Sequence, residues 1–412
     1  MPDDNAAYPA VDLDSANVAR ESARYPFAVR QALKLATHIE AGQLDVRMPD
    51  GRAFRIVGDK PGPQAMMVIR DLKFASTLSQ GELGIAEAFL RGQWDSPDLT
   101  AFLELFCVNQ PFLERLMEGK PLIRLFQMVR HWMNRNTKAG SRRNIHAHYD
   151  LGNAFYGAWL DDSMTYSSAL FDEAKDLVGG QRRKYAALAQ ACAIRPDHHV
   201  LEIGCGWGGF AEYAAREIGC KVTGLTISQE QYDFACKRIF EAGLNEKVDL
   251  KLQDYRDEKG AYDRIASIEM FEAVGEEYWP TYFQQLRERL KPGGFAGVQV
   301  ITIDERLFPR YRRELDFIRR YVFPGGMLPT GTIMRDLGAK VGLSLHDERN
   351  FGLDYAQTLV LWRERFRAAW PTLTPLGFDE RFRRLWEYYL AYCEAGFRAG
   401  TIDVRQMVFS RS

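Results

Sequence analysis

The chain has 412 residues, of which 46% are hydrophobic and 12% aromatic, and a formal net charge of −1 at pH 7. This composition supports more than one packed core and excludes a disordered chain. The near-zero charge gives no global indication of a nucleic-acid partner. The six cysteines are scattered without a C-x-x-C pair, which argues for reduced thiols and against a disulfide scaffold or a zinc site.

The N-terminal part is predicted to form a tail followed by a small domain. Residues 1–20 are polar and acidic, lack the apolar core of a signal peptide and are expected to be a flexible tail. Residues 21–118 are expected to form an α+β domain, in which Asp50-Gly51 between alternating segments indicates a β-hairpin. Helical patterns follow near 85–94 and 99–109. No catalytic motif occurs in this block.

A basic segment follows at 119–143, where no acidic residue occurs. Apolar residues recur in it at helical spacing, as in Leu122, Phe126 and Val129. A basic amphipathic helix of this kind is typical of a membrane-surface element. A connecting helix that packs its apolar face on a neighbouring domain explains the pattern equally well. No run of 18 apolar residues occurs anywhere, so no membrane-spanning helix is predicted.

From about residue 181, strand and helix patterns alternate. Within a C-terminal domain assigned to 144–412, this rhythm predicts an α/β fold with a doubly wound, mostly parallel sheet and helices on both faces. An insertion rich in arginine and aromatic residues is expected at about 304–330. A last strand is predicted near 358–366, and a long aromatic helix at 384–400.

A glycine-rich turn, LEIGCGWGGF, lies between a predicted buried strand and a helix. Glycines at 204, 206 and 209 let the backbone approach a ligand closely, so the turn predicts a nucleotide-type site. A dinucleotide would require an acidic residue at the end of the second strand, but that strand ends with Thr226 and Ser228. Carboxylates occur instead at Glu202 and Asp254, which favours a ligand with an ammonium and a sulfonium group. S-adenosylmethionine is therefore the predicted cofactor, and a nicotinamide oxidoreductase is disfavoured.

Six segments in order strengthen this interpretation. They are HYDLGNAFYGAWLDDSMTYSSALF, LEIGCGWGGFAEYAA, GLTISQEQ, QDYRD, EMFEAVG and NFGLDYAQTLVLWRERF. Together they resemble the cyclopropane-fatty-acyl-phospholipid synthases over about residues 140 to 411. The resemblance implies a class I methyltransferase fold and an enzyme that methylates a cis double bond in a phospholipid acyl chain. Residues 21–118 resemble the lipid-contacting N-terminal domain of that family only in position and size.

The resemblance also implies a location and partners. The expected partner is a phospholipid bilayer surface with unsaturated acyl chains, and the expected location is cytoplasmic, peripheral at the inner membrane surface. No nucleic-acid partner is expected, and a homodimer is left open. No metal is expected, because His146 with His148 and His198 with His199 lack the spacing of metal ligands.

The resemblance assigns residues to the cofactor. Those expected to contact S-adenosylmethionine are Tyr166, Ser167, Glu202, Gly204, Gly206, Thr226, Ser228, Gln231, Gln253 and Asp254.

A second set is assigned to a bicarbonate that accepts the proton leaving the methylated chain. Glu272, Tyr355 and the backbone of Ile301 match the family positions, whereas Ser168 stands for the family's cysteine and Gln299 for its histidine. Serine and glutamine can donate to an anion, but glutamine cannot relay a proton as histidine does. The sequence thus leaves three outcomes open: a cyclopropane, a methyl-branched unsaturated chain, or an inactive lipid-binding protein.

Overall fold

The computed structural model describes residues 10–117 and 151–412, apart from the side chains of 79 and 111–117. These residues form two compact units, each treated by itself: the first comprises the N-terminal part and 376–399, and the second the remainder up to 375 and 400–412. The predicted basic linker at 119–143 and the first nine residues of the predicted tail lie outside the described residues.

The strands and helices are as follows. The strands are β1 (Ala10–Asp12), β2 (Ala41–Arg47), β3 (Ala53–Val57), β4 (Lys60–Ile69), β5 (Trp94–Asp95), β6 (His199–Ile203), β7 (Lys221–Thr226), β8 (Val248–Leu252), β9 (Tyr262–Ile268), β10 (Leu290–Ile303), β11 (Leu343–Asn350) and β12 (Ile402–Arg411). The helices are α1 (Val18–Glu21), α2 (Phe27–Ala36), α3 (Glu82–Leu90), α4 (Leu99–Met117), α5 (Asn153–Gly157), α6 (Leu177–Ala191), α7 (Gly209–Tyr213), α8 (Gln229–Glu241), α9 (Trp279–Arg289), α10 (Phe308–Tyr311), α11 (Phe317–Tyr321), α12 (Gly331–Lys340), α13 (Gly352–Leu373) and α14 (Glu380–Arg398).

The first unit contains a mixed sheet with the strand order β1-β3-β2-β4-β5. Strands β2 and β3 pair antiparallel on either side of Gly51, whose φ is +86°, which confirms the predicted hairpin. Residues 10–12 differ from the expected tail, because β1 pairs with β3 in parallel and α1 follows shortly after it. Backbone hydrogen bonds to a sheet edge explain the order of this short polar segment.

Helix α14 belongs to the first unit, although the sequence analysis assigned it to the C-terminal domain. The Arg384 guanidinium donates to the carbonyls of Phe89 and Trp94 at 2.6 and 2.9 Å. Thr100 donates to the buried Glu394 carboxylate at 2.8 Å. The chain therefore leaves the second unit after α13, adds one helix to the first unit and returns as β12. Sequence order alone does not reveal such an excursion.

The second unit contains a sheet with the strand order β11-β12-β10-β9-β6-β7-β8. Strands β8, β7, β6, β9 and β10 pair in parallel, and β12 is antiparallel to both β10 and β11. The strand order reverses at β6, which has β7 on one side and β9 on the other. This is the predicted doubly wound, mostly parallel α/β sheet.

Apolar side chains cover both faces of this sheet. Successive residues of β6 point to opposite faces: Leu201 joins a core with α9 and α12, and Val200 joins a core with α6, α7 and α8. Strands that are buried on both faces read as continuous apolar runs, which is why the sequence pattern identified them.

The strand predicted near 358–366 is wrong, because these residues lie within helix α13. The buried side chains of Tyr355, Leu359, Trp362 and Phe366 follow the spacing i, i+4, i+7 and i+11 of one helical face. A short apolar run such as LVLW does not by itself distinguish a buried strand from a buried helix. None of the helices in the described ranges has the length and apolar character of a membrane-spanning segment.

Candidate active site

A cavity of about 790 Å³ opens at the carboxyl ends of the parallel strands, where the strand order reverses at β6. Ligands of open α/β sheets bind at such switch points. Every residue that the sequence analysis assigned to the cofactor lines this cavity, namely Tyr166, Ser167, Glu202, Gly204, Gly206, Thr226, Ser228, Gln231, Gln253 and Asp254. The structure thus brings these residues together around one space, and their role as ligands stays a prediction.

The turn between β6 and α7 exposes its backbone to the cavity. Gly204 has a φ of +82°, and a Cβ there would lie 2.7 Å from Cγ of Met270. Gly206 has a φ of +52° and faces open space. Glycine adopts positive φ without strain. These two positions therefore need glycine, and a ligand can approach the backbone closely there.

Glu202 is the second-to-last residue of β6 and is 3% exposed. Its Oε2 atom has no hydrogen-bond partner within the described part of the chain. Burial raises the pKa of this carboxyl well above its usual range. A buried polar atom without a partner is costly unless a ligand supplies a donor. Glu202 is therefore suited to accept a hydroxyl or ammonium hydrogen from a bound molecule.

The residues at the end of β7 support one another. Thr226 donates from Oγ1 to Oε1 of Gln231 at 3.0 Å. Ser228 is the N-cap of α8, and its hydroxyl oxygen accepts the Gln231 backbone N–H at 3.4 Å. Ser228 therefore has a structural role in starting this helix as well as a place in the cavity wall.

The wall after β8 contains a cation that the sequence analysis did not assign. Arg256 donates to the two carboxylate oxygens of Asp254 at 2.9 and 2.6 Å, and its guanidinium lies 5.4 Å from the centre of the Tyr278 ring. Gln253 donates to Glu258 at 3.2 Å. The motif QDYRD already contained Arg256, two residues after Asp254, so its proximity was readable from the sequence.

Beside the glycine turn, the carboxylate of Glu269 is enclosed by three donors. Its Oε1 accepts the Ser168 backbone N–H at 2.9 Å and the Gln299 side-chain amide at 2.7 Å. Its Oε2 accepts the Tyr355 hydroxyl at 2.6 Å. We call this arrangement of Glu269 with Ser168, Gln299 and Tyr355 the Glu269 cage. Glu269 is also one of the residues that line the cavity.

The backbone at Glu269 supports a functional interpretation of the cage. Its φ is +50°, a region that residues other than glycine rarely adopt. Strain of this kind is concentrated at functional sites, where surrounding contacts maintain it. Desolvation raises the pKa of the Glu269 carboxyl, while the charge of Lys184 and the bonds from Tyr355, Ser168 and Gln299 oppose that rise.

Glu272 and Ile301 come together as the sequence analysis expected, but beside the cage. The Ile301 backbone N–H donates to Oε1 of Glu272 at 2.6 Å, and Oε2 has no partner within the described ranges. Desolvation, followed by repulsion from Glu269, raises the pKa of Glu272 to about 8. Glu272 is thus suited to hold a proton at neutral pH.

The residues assigned to the bicarbonate make contacts within the chain, and their assignment to bicarbonate stays a prediction. Gln299 and Tyr355 both donate to the carboxylate of Glu269. Ser168 contributes its backbone N–H, because its hydroxyl donates to the Ala169 carbonyl at 2.8 Å. Glu269 was not among the predicted site residues, although the motif EMFEAVG begins with it. An acidic residue directly after a parallel strand was the available signal.

Aromatic rings surround Tyr166 next to the cage. The centres of the Tyr156, Trp159 and Trp362 rings lie 5.3, 5.7 and 5.4 Å from that of Tyr166. The ring of Tyr355 lies 6.1 Å from Trp362. The side chains of Tyr156, Trp159 and Trp362 are fully buried, and the faces of aromatic rings attract positive charge.

Comparisons with known proteins agree with this geometry. The family described as mycolic acid cyclopropane synthetase matches residues 136–407. The chain is 39% identical over 342 residues to a tuberculostearic acid methyltransferase of Mycobacterium tuberculosis, which covers 80% of this chain and 79% of that protein. It is 35% identical over 390 residues to the cyclopropane-fatty-acyl-phospholipid synthase of Escherichia coli strain K12, which covers 89% of this chain and 96% of that protein.

Solved structures show the same fold. The mycolic acid cyclopropane synthase CmaA1 complexed with SAH and CTAB superposes with a TM-score of 0.62 at 27% identity, covering 65% of this chain and 98% of that one. Coclaurine N-methyltransferase, at 16% identity, superposes with a TM-score of 0.60 over 80% of this chain and 99% of that one. The fold predicted from the sequence is confirmed.

Proposed function

The chain belongs to the mycolic acid cyclopropane synthetase family of S-adenosylmethionine-dependent methyltransferases, and we propose that it methylates the cis double bond of an unsaturated acyl chain in a membrane phospholipid. The product that we propose is a methyl-branched unsaturated chain. The Glu269 cage is the observation that carries this choice, because it provides a proton acceptor that belongs to the protein.

The cavity fits S-adenosylmethionine. Its volume of about 790 Å³ is within the range of small-molecule sites. Glu202 offers to a hydroxyl or ammonium group a buried oxygen that has no partner among the described residues, and Gly204 and Gly206 leave the backbone open. In this proposal Tyr166 and Ser167 face the methionine part, Thr226, Ser228 and Gln231 the ribose, and Gln253 and Asp254 the adenosine. When bound, the cofactor supplies an electrophilic methyl group.

The chain's own residues then have two tasks at the double bond. An alkene is a weak nucleophile, so the site must hold it in place and exclude water. Methylation leaves a positive charge on a carbon of the acyl chain. The aromatic block around Tyr166, with Trp362 and Tyr355, presents ring faces that stabilise such a charge.

Glu269 is the proposed proton acceptor. Addition of a methyl cation to the double bond gives a carbocation. Transfer of a proton from a chain carbon next to this cation to the Glu269 carboxylate forms a new double bond and leaves a neutral, methyl-branched chain that is heavier by one CH₂ group; loss of a proton from the new methyl would instead close a ring. Three donors hold the carboxylate in position, and Glu269 is a lining residue of the cavity. A positioned carboxylate whose pKa is raised by desolvation is suited to general-base catalysis.

Bicarbonate has no separate place in this proposal. Gln299 and Tyr355, which the sequence analysis assigned to it, already donate to Glu269. Glutamine at 299 cannot relay a proton onward. The similarity to a tuberculostearic acid methyltransferase, at 39% identity, also supports methylation without ring closure.

A lipid surface is the proposed location of the substrate, on the cytoplasmic side of the inner membrane. Helix α2 in the first unit supports a lipid-contacting role, because it exposes Phe27 and Leu35 by 68% and 48% beside the exposed Lys34. Apolar and basic residues on one exposed helix face are typical of interfacial helices.

The test supplies purified protein with S-adenosylmethionine and vesicles of dioleoyl phosphatidylethanolamine and phosphatidylglycerol in bicarbonate-depleted buffer. Mass spectrometry of the acyl chains should show a gain of one CH₂ group, and catalytic hydrogenation should then add two hydrogens to the product. A product that resists hydrogenation is a ring and contradicts the proposed outcome. Stimulation by added bicarbonate contradicts the role of Glu269, and no mass gain contradicts the reaction itself.

A further inference from the structure

We propose that Lys184 is a positioning residue that couples the cofactor cavity to the Glu269 cage, by holding Ser167 in place and by supplying a positive charge that favours the ionised form of Glu269. This inference rests on the proposed role of Glu269 as proton acceptor. Lys184 lies on α6 and is completely buried. It belongs to none of the motifs identified in the sequence and has no role in the proposed reaction.

The side chain of Lys184 leads to the cage through two consecutive serines. Its Nζ donates to Oγ of Ser167 at 2.6 Å. Gln181, one turn earlier on α6, donates to the Ser167 carbonyl at 2.9 Å. Ser167 lines the cofactor cavity, and the next residue, Ser168, donates its N–H to Glu269. Helix α6 thus fixes the segment that borders both the cavity and the cage.

The backbone carbonyl of Lys184 leads to the same carboxylate by a second route. Gln406 donates from Nε2 to this carbonyl at 3.2 Å and to Oε1 of Gln299 at 3.0 Å. Gln299 and Gln406 are directly paired between β10 and β12, and both are buried. Because Oε1 of Gln299 receives this hydrogen, its Nε2 is directed to Glu269. The two routes form a closed loop of hydrogen bonds that includes Lys184 and Glu269.

Because charged groups surround Lys184, the loop of hydrogen bonds depends on whether the Lys184 side chain is protonated. Its charged neighbours are Glu269 after β9, Asp161 after α5 and Glu202 at the end of β6, and the Tyr185 ring lies 4.6 Å from Nζ. Burial lowers the pKa of Lys184 to about 7 against the effect of these carboxylates. An ammonium buried without opposite charge would be unstable, so Lys184 and the carboxylates depend on one another.

Glu269 experiences opposing influences. Lys184 lowers the pKa of its carboxyl, and Tyr355, Ser168 and Gln299 do so by hydrogen bonding, whereas desolvation raises it. Glu272 is the nearby carboxyl, and repulsion between the two raises the pKa of Glu272. Loss of the Lys184 charge should therefore raise the pKa of Glu269, so that the acceptor becomes protonated at a higher pH.

The experiment compares substitutions that separate charge from hydrogen bonding. Lys184→Gln keeps a donor for Ser167 and removes the charge, Lys184→Arg keeps the charge, and Lys184→Met removes both. Lys237→Met is the matched control, because this lysine is 74% exposed. The readouts are the pH dependence of lipid methylation and the affinity for S-adenosylhomocysteine measured by calorimetry.

In Lys184→Gln, the acidic limb of the pH profile should move up by about one pH unit or more, and Lys184→Arg should restore it. Lys184→Met should also weaken S-adenosylhomocysteine binding by about fivefold or more, because Ser167 loses its partner. An acidic limb at the wild-type pH in Lys184→Gln, or equal shifts in Lys184→Arg and Lys184→Gln, overturns the charge role. Unchanged affinity in Lys184→Met overturns the link to the cavity.

Two further measurements keep the test decisive. If Lys184→Gln fails to melt cooperatively, Gln406→Met tests the other route of the loop while Lys184 is retained, and a wild-type pH profile in that variant contradicts the loop. The affinity measurements need no lipid. Absence of methylation by the wild-type protein therefore contradicts the proposed function, whereas the affinity comparison still decides whether Lys184 supports the cavity.

Discussion

Two carboxylates at the ends of neighbouring parallel strands differ in how their oxygens are satisfied. Glu202, at the end of β6, is buried, and its Oε2 has no partner within the described residues. Glu269, just after β9, receives hydrogen bonds on both oxygens from three separate segments. An unsatisfied buried acceptor requires a partner from outside the chain, whereas a satisfied one is held ready by the protein. The first therefore indicates a binding group and the second a fixed chemical group.

The largest effect is expected from Glu269→Gln, which keeps the shape of the side chain but removes the proton acceptor. Lipid methylation should fall about 100-fold or more, the range attributed to a general base. The affinity for S-adenosylhomocysteine, measured by calorimetry, should stay within about twofold, because the amide keeps most of the polar contacts. Glu246→Gln, at an exposed position, serves as the control. Activity near the wild-type level in Glu269→Gln would show that Glu269 is not the proton acceptor and would remove the functional difference between the two carboxylates.

Glu269→Gly sharpens the same comparison. It empties the cage, and glycine suits the φ of +50° at this position. The variant should have low activity that added bicarbonate restores by about tenfold or more, since a small anion can then accept the bonds from Gln299 and Tyr355. The measurement is methylation rate against bicarbonate concentration, and a flat response argues that the cage does not hold the proton acceptor.

Glu202→Gln should act on binding instead of chemistry. Its amide offers a weaker acceptor to a cationic or hydroxyl-bearing ligand, so the affinity for S-adenosylmethionine should fall about tenfold. The rate at saturating cofactor should change by less than about threefold. If Glu202→Gln lowers the rate at saturating cofactor but leaves the affinity for S-adenosylmethionine unchanged, Glu202 acts in the chemical step and its assignment as a binding group is wrong.

Tyr355→Phe removes one of the three donors to Glu269. The rate should fall by about tenfold, because a hydrogen bond to a charged group is lost. The acidic limb of the pH profile should move upward, since this hydrogen bond lowers the pKa of Glu269. Tyr232→Phe is the control, because it removes the same hydroxyl group from a tyrosine on α8 that does not line the cavity. An unchanged pH profile in Tyr355→Phe excludes an influence of Tyr355 on the ionisation of Glu269.

The last prediction concerns the stability of the protein and Glu272. One oxygen of this carboxyl accepts a hydrogen bond, and the other has no partner among the described residues. The pKa of its carboxyl rises from 4.5 to about 8 on folding, so the folded protein retains a proton that the unfolded chain releases between these values. The stability of the wild-type protein should therefore fall as the pH rises through this window. Glu272→Gln removes this loss, and its free energy of unfolding relative to wild type should increase by on the order of 3 kcal/mol from pH 5 to pH 8. Urea denaturation at the two pH values checks this, and a constant difference contradicts the raised pKa.

Much of the fold could be read from the sequence. The β2–β3 hairpin, the parallel strands and the helices between them follow from local apolar periodicity and from turn residues such as Gly51. The local pattern gave a wrong prediction for 358–366, because a buried helix can contain the same short apolar run as a buried strand. It also did not predict that α14 belongs to the first unit, from which it is separated by a long stretch of sequence.

By itself the sequence determined the sheet and the glycine turn, because these depend on short segments whose strand ends meet at one edge. The residues around the cavity were predicted from the resemblance of six motifs to a known family. The tertiary structure decided which groups complete the cage. Ser168, Glu269, Gln299 and Tyr355 lie far apart along the chain, and Lys184 and Gln406 join them only through folded contacts. A motif identifies candidate carboxylates, but which one receives the hydrogen bonds is set by side-chain positions that no local pattern encodes.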